Sequence, residues 1–348
     1  MILYSNMAHK KYINIFPYNG IQYLRNRAFG NKNKGIEASI FHKLHAALQR
    51  KNIDIYTYDT NIGTDPFVTV YFDTPYPWDI HAWRYLISHP KDNVLLCNES
   101  SLIIPFNYWK ILHIFFRKVF TWYDGMIDNK KYVRWILPKS SEGMTTMPGK
   151  FSDKKFLVMI NKNTLPFFPF RFMNSFGKEL YSERIKAIEY FERVTPHLFD
   201  LYGRGWNKPK KYSIWERIFG FKKYNSYRGE VENKIEILSR YKYSLCFENI
   251  TDANGYITEK IFDCLKAKCI PIYWGASDIE KYIPRNCFID YRAYGSYEKL
   301  FDYLSSVDEN EYNAYIQNIE KLLEDKIFCD MWFEDGFIKF FLKNIIGK

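Results

Sequence analysis

Two doubly wound α/β domains, each built on a mostly parallel sheet, are expected from three features of this 348-residue chain. The chain is longer than one small core organises and suits two domains of ordinary size. Short apolar runs of strand length alternate with stretches whose apolar residues recur at helical spacing. The alternation is interrupted once, at 140–150 (SSEGMTTMPGK), by a Ser/Thr/Gly/Pro stretch with no apolar periodicity. Hydrophobic residues are 47% of the chain, enough to fill both cores.

In the first half, 12–16 is the opening strand. Ile36, Ile40, Leu44 and Leu48, with Phe41 and Ala47 alongside, give an amphipathic helix, and strands at 53–56 and 67–72 follow. A helix is expected at 79–88, a strand at 94–97, a helix at 109–116 and a strand at 119–122. No glycine-rich phosphate loop occurs here, so a nucleotide is not expected in this half. In the second half, 156–161 reads as a strand, 183–193 as a helix and 198–202 as a strand. A basic, aromatic excursion (208–224, KPKKYSIWERIFGFKKY) comes next. From 310 the chain is helical and ends in DGFIKFFLKNIIGK, an apolar stripe flanked by lysines. The expected domains are therefore 1–150 and 151–330, with a helical tail at 331–348.

The stretch at 241–291 organises the second half. Residues 243–247 are a short buried strand, 248–256 a polar loop, and Ile261, Phe262 and Leu265 give 258–267 helical spacing. Thr258 is a natural N-cap, and Glu259 suits the positive end of the helix dipole. Lys260 does not, because a cation in the first turn is repelled there. Its presence makes sense if the helix start holds an anion. A strand at 269–274 and Gly275 complete a βαβ unit whose ligand should lie at the carboxyl ends of the strands.

Within this stretch, FEN, GYITEK, IPIYWG and NCFID, preceded by SYRGEVENKIEILSRYKYSLCFEN (226–249), closely resemble the α-1,3/1,4-fucosyltransferases of glycosyltransferase family 10, bacterial type. The resemblance covers 226–291 with several motifs in order. It implies the GT-B fold, two Rossmann-like domains facing each other across a cleft, the first binding acceptor and the second the nucleotide-sugar donor. It also implies donor contacts. Lys260 and Arg184, the latter in a Ser182-Glu183-Arg184 helix start, would bind the diphosphate. Tyr256 and Glu259 would contact the nucleotide sugar, Glu259 through ribose hydroxyls, and Asn249 would reach the phosphate side.

Arginine suits a diphosphate because its planar fork bonds two oxygens at once; Arg171, Arg193 and Arg204 are rivals for that role. No Asp-x-Asp occurs, so side-chain cations rather than a metal are expected to hold the diphosphate. No metal or cofactor is expected beyond the donor substrate, GDP-fucose. The general base should come from the first half. Glu99 directly follows the strand at 94–97, where sites of such sheets gather. The family carries a glutamate in a G-E-N context there, and this chain has Asn98-Glu99-Ser100 instead. Glu142, Asp73 and Asp79 are alternatives. His42 and His45 share a helix face without acidic or cysteine partners and suggest no metal site.

The net charge of +11 implies an anionic partner: a nucleotide, an acidic membrane surface or nucleic acid. Nucleic acid is disfavoured, because the lysines are spread along both halves among 39 acidic residues. The six cysteines have no metal-ligand spacing and read as buried thiols of a reducing compartment. The N-terminal MILYSNMAHKK lacks an apolar core, and no run spans a bilayer, so a cytoplasmic enzyme is expected. Peripheral contact with the membrane's inner face would run through the tail: Phe337, Phe340, Phe341 and Ile345, with Lys339, Lys343 and Lys348 near the headgroups.

The expected reaction is an inverting, metal-independent transfer of L-fucose from GDP-fucose. The acceptor would be O3 or O4 of GlcNAc in a glycan such as a lipopolysaccharide O-antigen. A GT-B enzyme with another nucleotide-sugar donor is the alternative, and a nucleic-acid-binding protein the distant third. Trp78, Trp83, Trp109 and Trp122 could stack on an acceptor sugar or fill the core.

Overall fold

Strands of a parallel sheet covered on both faces read as largely apolar runs, and the inner strands of the two large sheets, such as VTVYF (68–72) and IPIYW (270–274), are of this kind. The structure, a computed structural model, describes residues 11–17, 23–30, 36–60, 65–89, 92–144, 146–210 and 213–347. The chain divides into two units. One comprises Met1–Glu99, Phe106–Ser140 and Asp330–Lys348, and the other Ser100–Pro105 and Ser141–Cys329. The N-terminal segment read as lacking an apolar core lies, apart from Lys11, outside the described residues, as does Lys348.

The first unit begins with β1 (Tyr12–Phe16), α1 (Ile36–Gln49), β2 (Asp54–Thr57) and β3 (Val68–Phe72). α2 (Ile80–Ser88), β4 (Asn93–Leu96), β5 (Lys118–Thr121) and β6 (Tyr132–Arg134) follow. Its six strands are parallel in the order β2-β1-β3-β4-β5-β6. Phe16, Tyr71, Leu86, Leu95, Phe116 and Val119 belong to its core. The helix expected at 109–116 is instead a 3₁₀ segment, Lys110–Phe115. Its side chains repeat every three residues, so Ile111 and Ile114 both face outward while His113 is buried.

The second unit begins with β7 (Lys155–Ile160), α3 (Phe168–Phe172), β8 (Lys178–Glu179) and α4 (Tyr181–Val194). β9 (Phe199–Tyr202), α5 (Ile214–Phe219), α6 (Lys234–Leu238), β10 (Tyr241–Phe247) and β11 (Ile250–Thr251) come next. α7 (Glu259–Lys266), β12 (Ile270–Trp274), β13 (Ile289–Asp290), α8 (Tyr297–Ser306) and α9 (Glu309–Glu324) complete it, and α10 (Lys326–Trp332) begins in it and ends in the first unit. The parallel sheet runs β13-β12-β10-β7-β9, with β8 and β11 as a separate antiparallel pair. From β7 the chain goes outward to β9, then back to β10 on the other side. The winding therefore reverses between β7 and β10, where ligands of such sheets lie.

Two expectations about chain division need correction. The break comes at Ser140/Ser141 rather than after 150, because Lys139 is still tied into the first unit, its N–H donating to Trp332 O at 2.7 Å. Residues 331–348 are not a separate tail, since from Asp330 onward they belong to the first unit. There α11 (Glu334–Phe341) packs its apolar stripe inward. Phe337 lies against Phe72 and Trp135, and Phe340 against Phe120 and Trp135, while Phe341 and Ile345 are buried. Buried Glu334 accepts from Ser39 Oγ at 2.7 Å and pairs with Lys43 at 3.4 Å. At the turn from α10 into α11, the backbone is so close that a Cβ on Gly336 would come 1.7 Å from Asp330 O. The side chains expected to enter a membrane are thus part of this unit's core. Among the described residues no helix is long and apolar enough to cross a membrane. All six thiols are free, and all but Cys329 are buried.

Candidate functional site

β10 delivers Glu248 to the carboxyl end of the second sheet, where its N–H donates to Trp274 O at 2.8 Å. Its side chain has 0% exposure, which requires compensation for a buried charge. Thr258, the N-cap of α7, supplies part of it. Its N–H donates to Glu248 Oε1 at 2.8 Å and its hydroxyl to Oε2 at 2.7 Å. Lys260 supplies the rest, with Nζ 2.9 Å from Glu248 Oε2 and 3.0 Å from Thr258 Oγ1. Gly275 leaves the room: a Cβ there would lie 2.5 Å from Glu248 Cγ.

Burial alone would lower the Lys260 pKa, but the Glu248 and Glu259 carboxylates more than offset this and hold it above the ordinary lysine range. The charge of Arg184 opposes that rise. Both cations are anchored on Glu248, Arg184 on its carbonyl oxygen and Lys260 on its carboxylate. Lys260 keeps 18% of its side chain exposed. It borders a pocket shared with Ile160, Asn161, Lys234, Cys246 and Asp263, which lies against the sheet on the β7/β10 side.

Arg184, on α4, is buried to 4% exposure, and its guanidinium lies over the Tyr181 ring at 4.8 Å. Nη2 donates to Phe247 O at 2.8 Å, Glu248 O at 2.5 Å and Asn249 Oδ1 at 3.0 Å, whereas its buried Nε has no partner. One nitrogen thus clamps the end of β10, and the fork is not wholly open to a ligand as the sequence suggested. Asn249 is half-buried between Arg184 and Tyr256, its Nδ2 donating to Tyr256 OH at 3.4 Å. Tyr256 is itself buried at 2% and supports Asn249 from within. Glu259, one-third exposed, pairs with Lys234 Nζ at 3.6 Å, and the same Nζ is 3.6 Å from Asp263. Burial would lower the Lys234 pKa, but these two carboxylates raise it.

The structure therefore brings Arg184, Asn249, Tyr256, Glu259 and Lys260 together in one unit. It adds Glu248, Lys234 and Asp263, which sequence reasoning passed over. For Glu248 a signal existed, an acidic residue ending a buried strand inside FEN. For Lys234 there was none. Among the rivals, Arg171 pairs with Glu179 at 3.9 Å and Arg204 with Glu230 at 3.3 Å, while Arg193 is exposed on α4.

Glu99 lies in the first unit, half-buried, on the loop after β4. Its backbone is fixed from two sides. Its N–H donates to Asp73 Oδ1 at 3.0 Å, and its carbonyl accepts from Tyr108 OH at 2.7 Å. Asp73, an alternative base on sequence grounds, is buried in a support role. Its Oδ1 also accepts from Asn98 N at 2.6 Å and Asn107 Nδ2 at 2.6 Å. Burial pushes its pKa up to about 6 against the pull of these hydrogen bonds. Asp79 caps α2, accepting from Ala82 N at 3.0 Å, and Glu142 is exposed. Among the described residues no three His, Cys, Asp or Glu side chains gather as metal ligands would.

Residues 180–327 match the family description "Glycosyltransferase family 10 (fucosyltransferase) C-term". That segment contains every residue of the second-unit cluster and excludes Glu99. Among curated proteins, the Helicobacter pylori alpha-(1,3)-fucosyltransferase FucT is 40% identical over 86 residues, 25% of this chain and 18% of that protein. The Arabidopsis thaliana alpha-(1,4)-fucosyltransferase is 35% identical over 83 residues, 22% of this chain and 20% of that one. The matched stretches thus span about a fifth of these relatives. A solved alpha1,3-fucosyltransferase with GDP-fucose is 18% identical, covers 99% of this chain and 94% of its own, and superposes with a TM-score of 0.55. That likeness shows the fold, an α/β fold of the GT-B class. Through residues 180–327, the chain is similar to the C-terminal part of the glycosyltransferase family 10 fucosyltransferases.

Proposed function

We propose that this protein is an inverting, metal-independent fucosyltransferase that moves L-fucose from GDP-fucose to O3 or O4 of GlcNAc in a glycan such as a lipopolysaccharide O-antigen. The observation that supports it best is that two cations, Lys260 and Arg184, are both held on Glu248 at the carboxyl end of β10, Lys260 Nζ 2.9 Å from its carboxylate and Arg184 Nη2 2.5 Å from its carbonyl oxygen. One stands at a helix N-terminus, and the other keeps a buried N–H without a partner. A diphosphate would be a second anion for Lys260, beside the Glu248 carboxylate that it already pairs with, and an acceptor for the orphaned donor of Arg184. The family likeness of 180–327 and the names of the relatives point the same way for donor and sugar.

In this reading Glu99 takes the proton of the acceptor hydroxyl as its oxygen bonds to the anomeric carbon of fucose. The bond from that carbon to the diphosphate oxygen breaks, and GDP leaves with the electron pair, its charge stabilised by Lys260 and Arg184. Glu259 receives ribose hydroxyls, and Asn249, held by Tyr256 and Arg184, turns toward the phosphates.

The test is fucose transfer from GDP-fucose to a GlcNAc-containing oligosaccharide in excess EDTA, with the anomer of the product read by NMR. Transfer with inversion, alongside melting temperatures raised by GDP-fucose but not by UDP-sugars or oligonucleotides, is the expected result. A rise with a UDP-sugar alone gives the donor site to another nucleotide. Metal-reversible loss of transfer in EDTA gives the diphosphate to a metal ion.

A further inference from the structure

The basic, aromatic excursion between Trp206 and Tyr224 takes no part in the site described. Its base is firmly rooted. Trp206 is buried and donates to Asn161 O at 2.7 Å, its ring lies 5.5 Å from Tyr224, and Ser226 N donates to Glu192 at 2.8 Å. What it holds out is α5, IWERIF, a helix with its faces reversed. A soluble helix turns its apolar stripe toward the core. Here Glu216 is turned inward, accepting from Lys210 N at 2.8 Å and pairing with Lys210 Nζ, with only 21% of its side chain exposed. The four apolar residues point out: Ile214 is 70% exposed, Trp215 73%, Ile218 66% and Phe219 73%. Ile214 and Ile218 form one i,i+4 row and Trp215 and Phe219 the next, and the latter two rings stack at 5.4 Å.

Around this patch cations outnumber anions, although Lys210 pairs with Glu216 and Lys222 with Glu189 at 2.9 Å. Between 208 and 223 the sequence carries six Lys or Arg residues and one acidic residue, Glu216. Lys208, Arg217, Lys222 and Lys223 are exposed. We propose that α5 is an interfacial anchor that lays its four apolar side chains into the surface of an anionic lipid bilayer, with the flanking lysines and Arg217 at the headgroups. Charge complementarity selects this partner, because a ring of cations around an aromatic and aliphatic wedge fits a negatively charged surface with an apolar layer just beneath. A six-residue helix is about 9 Å long. That is too short a strip to supply the roughly 800 Å² per partner of a stable protein interface. Nor does the C-terminal stripe compete for this task, since it is buried in the first unit. The inference does not depend on the identity of the donor.

The test is flotation of the full chain with vesicles of phosphatidylcholine and phosphatidylglycerol (3:1) or of phosphatidylcholine alone, with Trp215→Glu/Phe219→Glu as the variant. Both positions are exposed, so the variant should melt like the wild type. The wild type should float with the anionic vesicles, more weakly at high salt, and little with phosphatidylcholine alone. The variant should lose at least about tenfold in apparent affinity, as expected for removing two buried aromatic side chains from the interface. Three results overturn the proposal. They are equal binding by the variant, no flotation of the wild type with anionic vesicles at low salt, or a wild-type dimer that the variant abolishes without any vesicle binding.

Discussion

Glu248 and Lys260 form a 2.9 Å ion pair in which the glutamate side chain has no exposed surface and the lysine side chain keeps a small one. The pair is asymmetric in purpose. Glu248 is already satisfied by two donors from Thr258, so Lys260 adds charge balance and keeps its accessible edge toward the pocket. Fold stability and the proposed anion site therefore meet in one side chain.

Replacing Lys260 by Met should destabilise the protein as well as weaken its hold on GDP. Removing one partner of a buried pair typically costs about 3–5 kcal/mol, because the other charge is left uncompensated. Adding Glu248→Gln should restore most of that stability without restoring GDP affinity. Urea unfolding and calorimetric titration with GDP read the two effects separately. A single variant as stable as the wild type would mean that water already compensates Glu248.

The pH dependence of donor binding follows from the same pair. A lysine whose folded pKa is raised contributes stability that is fully present below its ordinary value of 10.5 and lost only as pH rises through the higher folded value. In Glu248→Gln the nearest carboxylate is gone while burial, the largest influence and a lowering one, remains. Lys260 should then lose its proton at lower pH than in the wild type. GDP affinity of the variant should decline earlier on an alkaline titration. Identical profiles would remove Glu248 from control of this proton.

Lys260 was legible because a cation in the first turn of a helix is a local anomaly. Glu248 was not, because its meaning depends on a partner twelve positions away that is reached only through the fold. Both sheets could be anticipated from alternating apolar runs, yet their strand orders could not, since nothing local says on which side of β7 the next strand lands. β6 escaped notice because its three residues are half-buried at a sheet edge and carry no apolar run. The tail and α5 show the sharpest limit. DGFIKFF and IWERIF have comparable apolar stripes, but burial in the first unit claims one and a projecting loop exposes the other. An amphipathic pattern gives a face and never what covers it.

Asp73→Asn should stabilise the protein at neutral pH. Burial raises the pKa of this carboxyl from 3.8 to about 6 despite three hydrogen bonds to Oδ1. Between those values the unfolded chain has lost the proton and the folded chain keeps it, so stability falls as pH rises through the window. The loss is about 3 kcal/mol, at roughly 1.4 kcal/mol per pH unit. Asparagine retains an acceptor oxygen and tolerates the left-handed backbone found here, φ 69°. The variant should gain up to about that amount at pH 7 and match the wild type near pH 4 in denaturant titrations. Destabilisation at both pH values would show that the loop needs the ionised carboxylate.

Glu99→Gln should separate chemistry from donor binding. Asp73 and Tyr108 hold the Glu99 backbone from opposite sides, so a glutamine placed there inherits the same main-chain position. It keeps the size and hydrogen-bonding shape of glutamate but cannot accept a proton as the acceptor oxygen attacks. General-base catalysis typically contributes ~10²–10⁴-fold, and turnover should fall by about that factor. GDP-fucose affinity should barely change, because Lys260, Arg184, Asn249 and Glu259 belong to the second unit. Steady-state rates with calorimetric GDP-fucose titration distinguish the outcomes. Wild-type turnover would assign the base to another residue and give Asn98-Glu99-Ser100 a register unlike the family's. Loss of donor affinity with turnover per bound donor intact would instead make Glu99 a nucleotide contact.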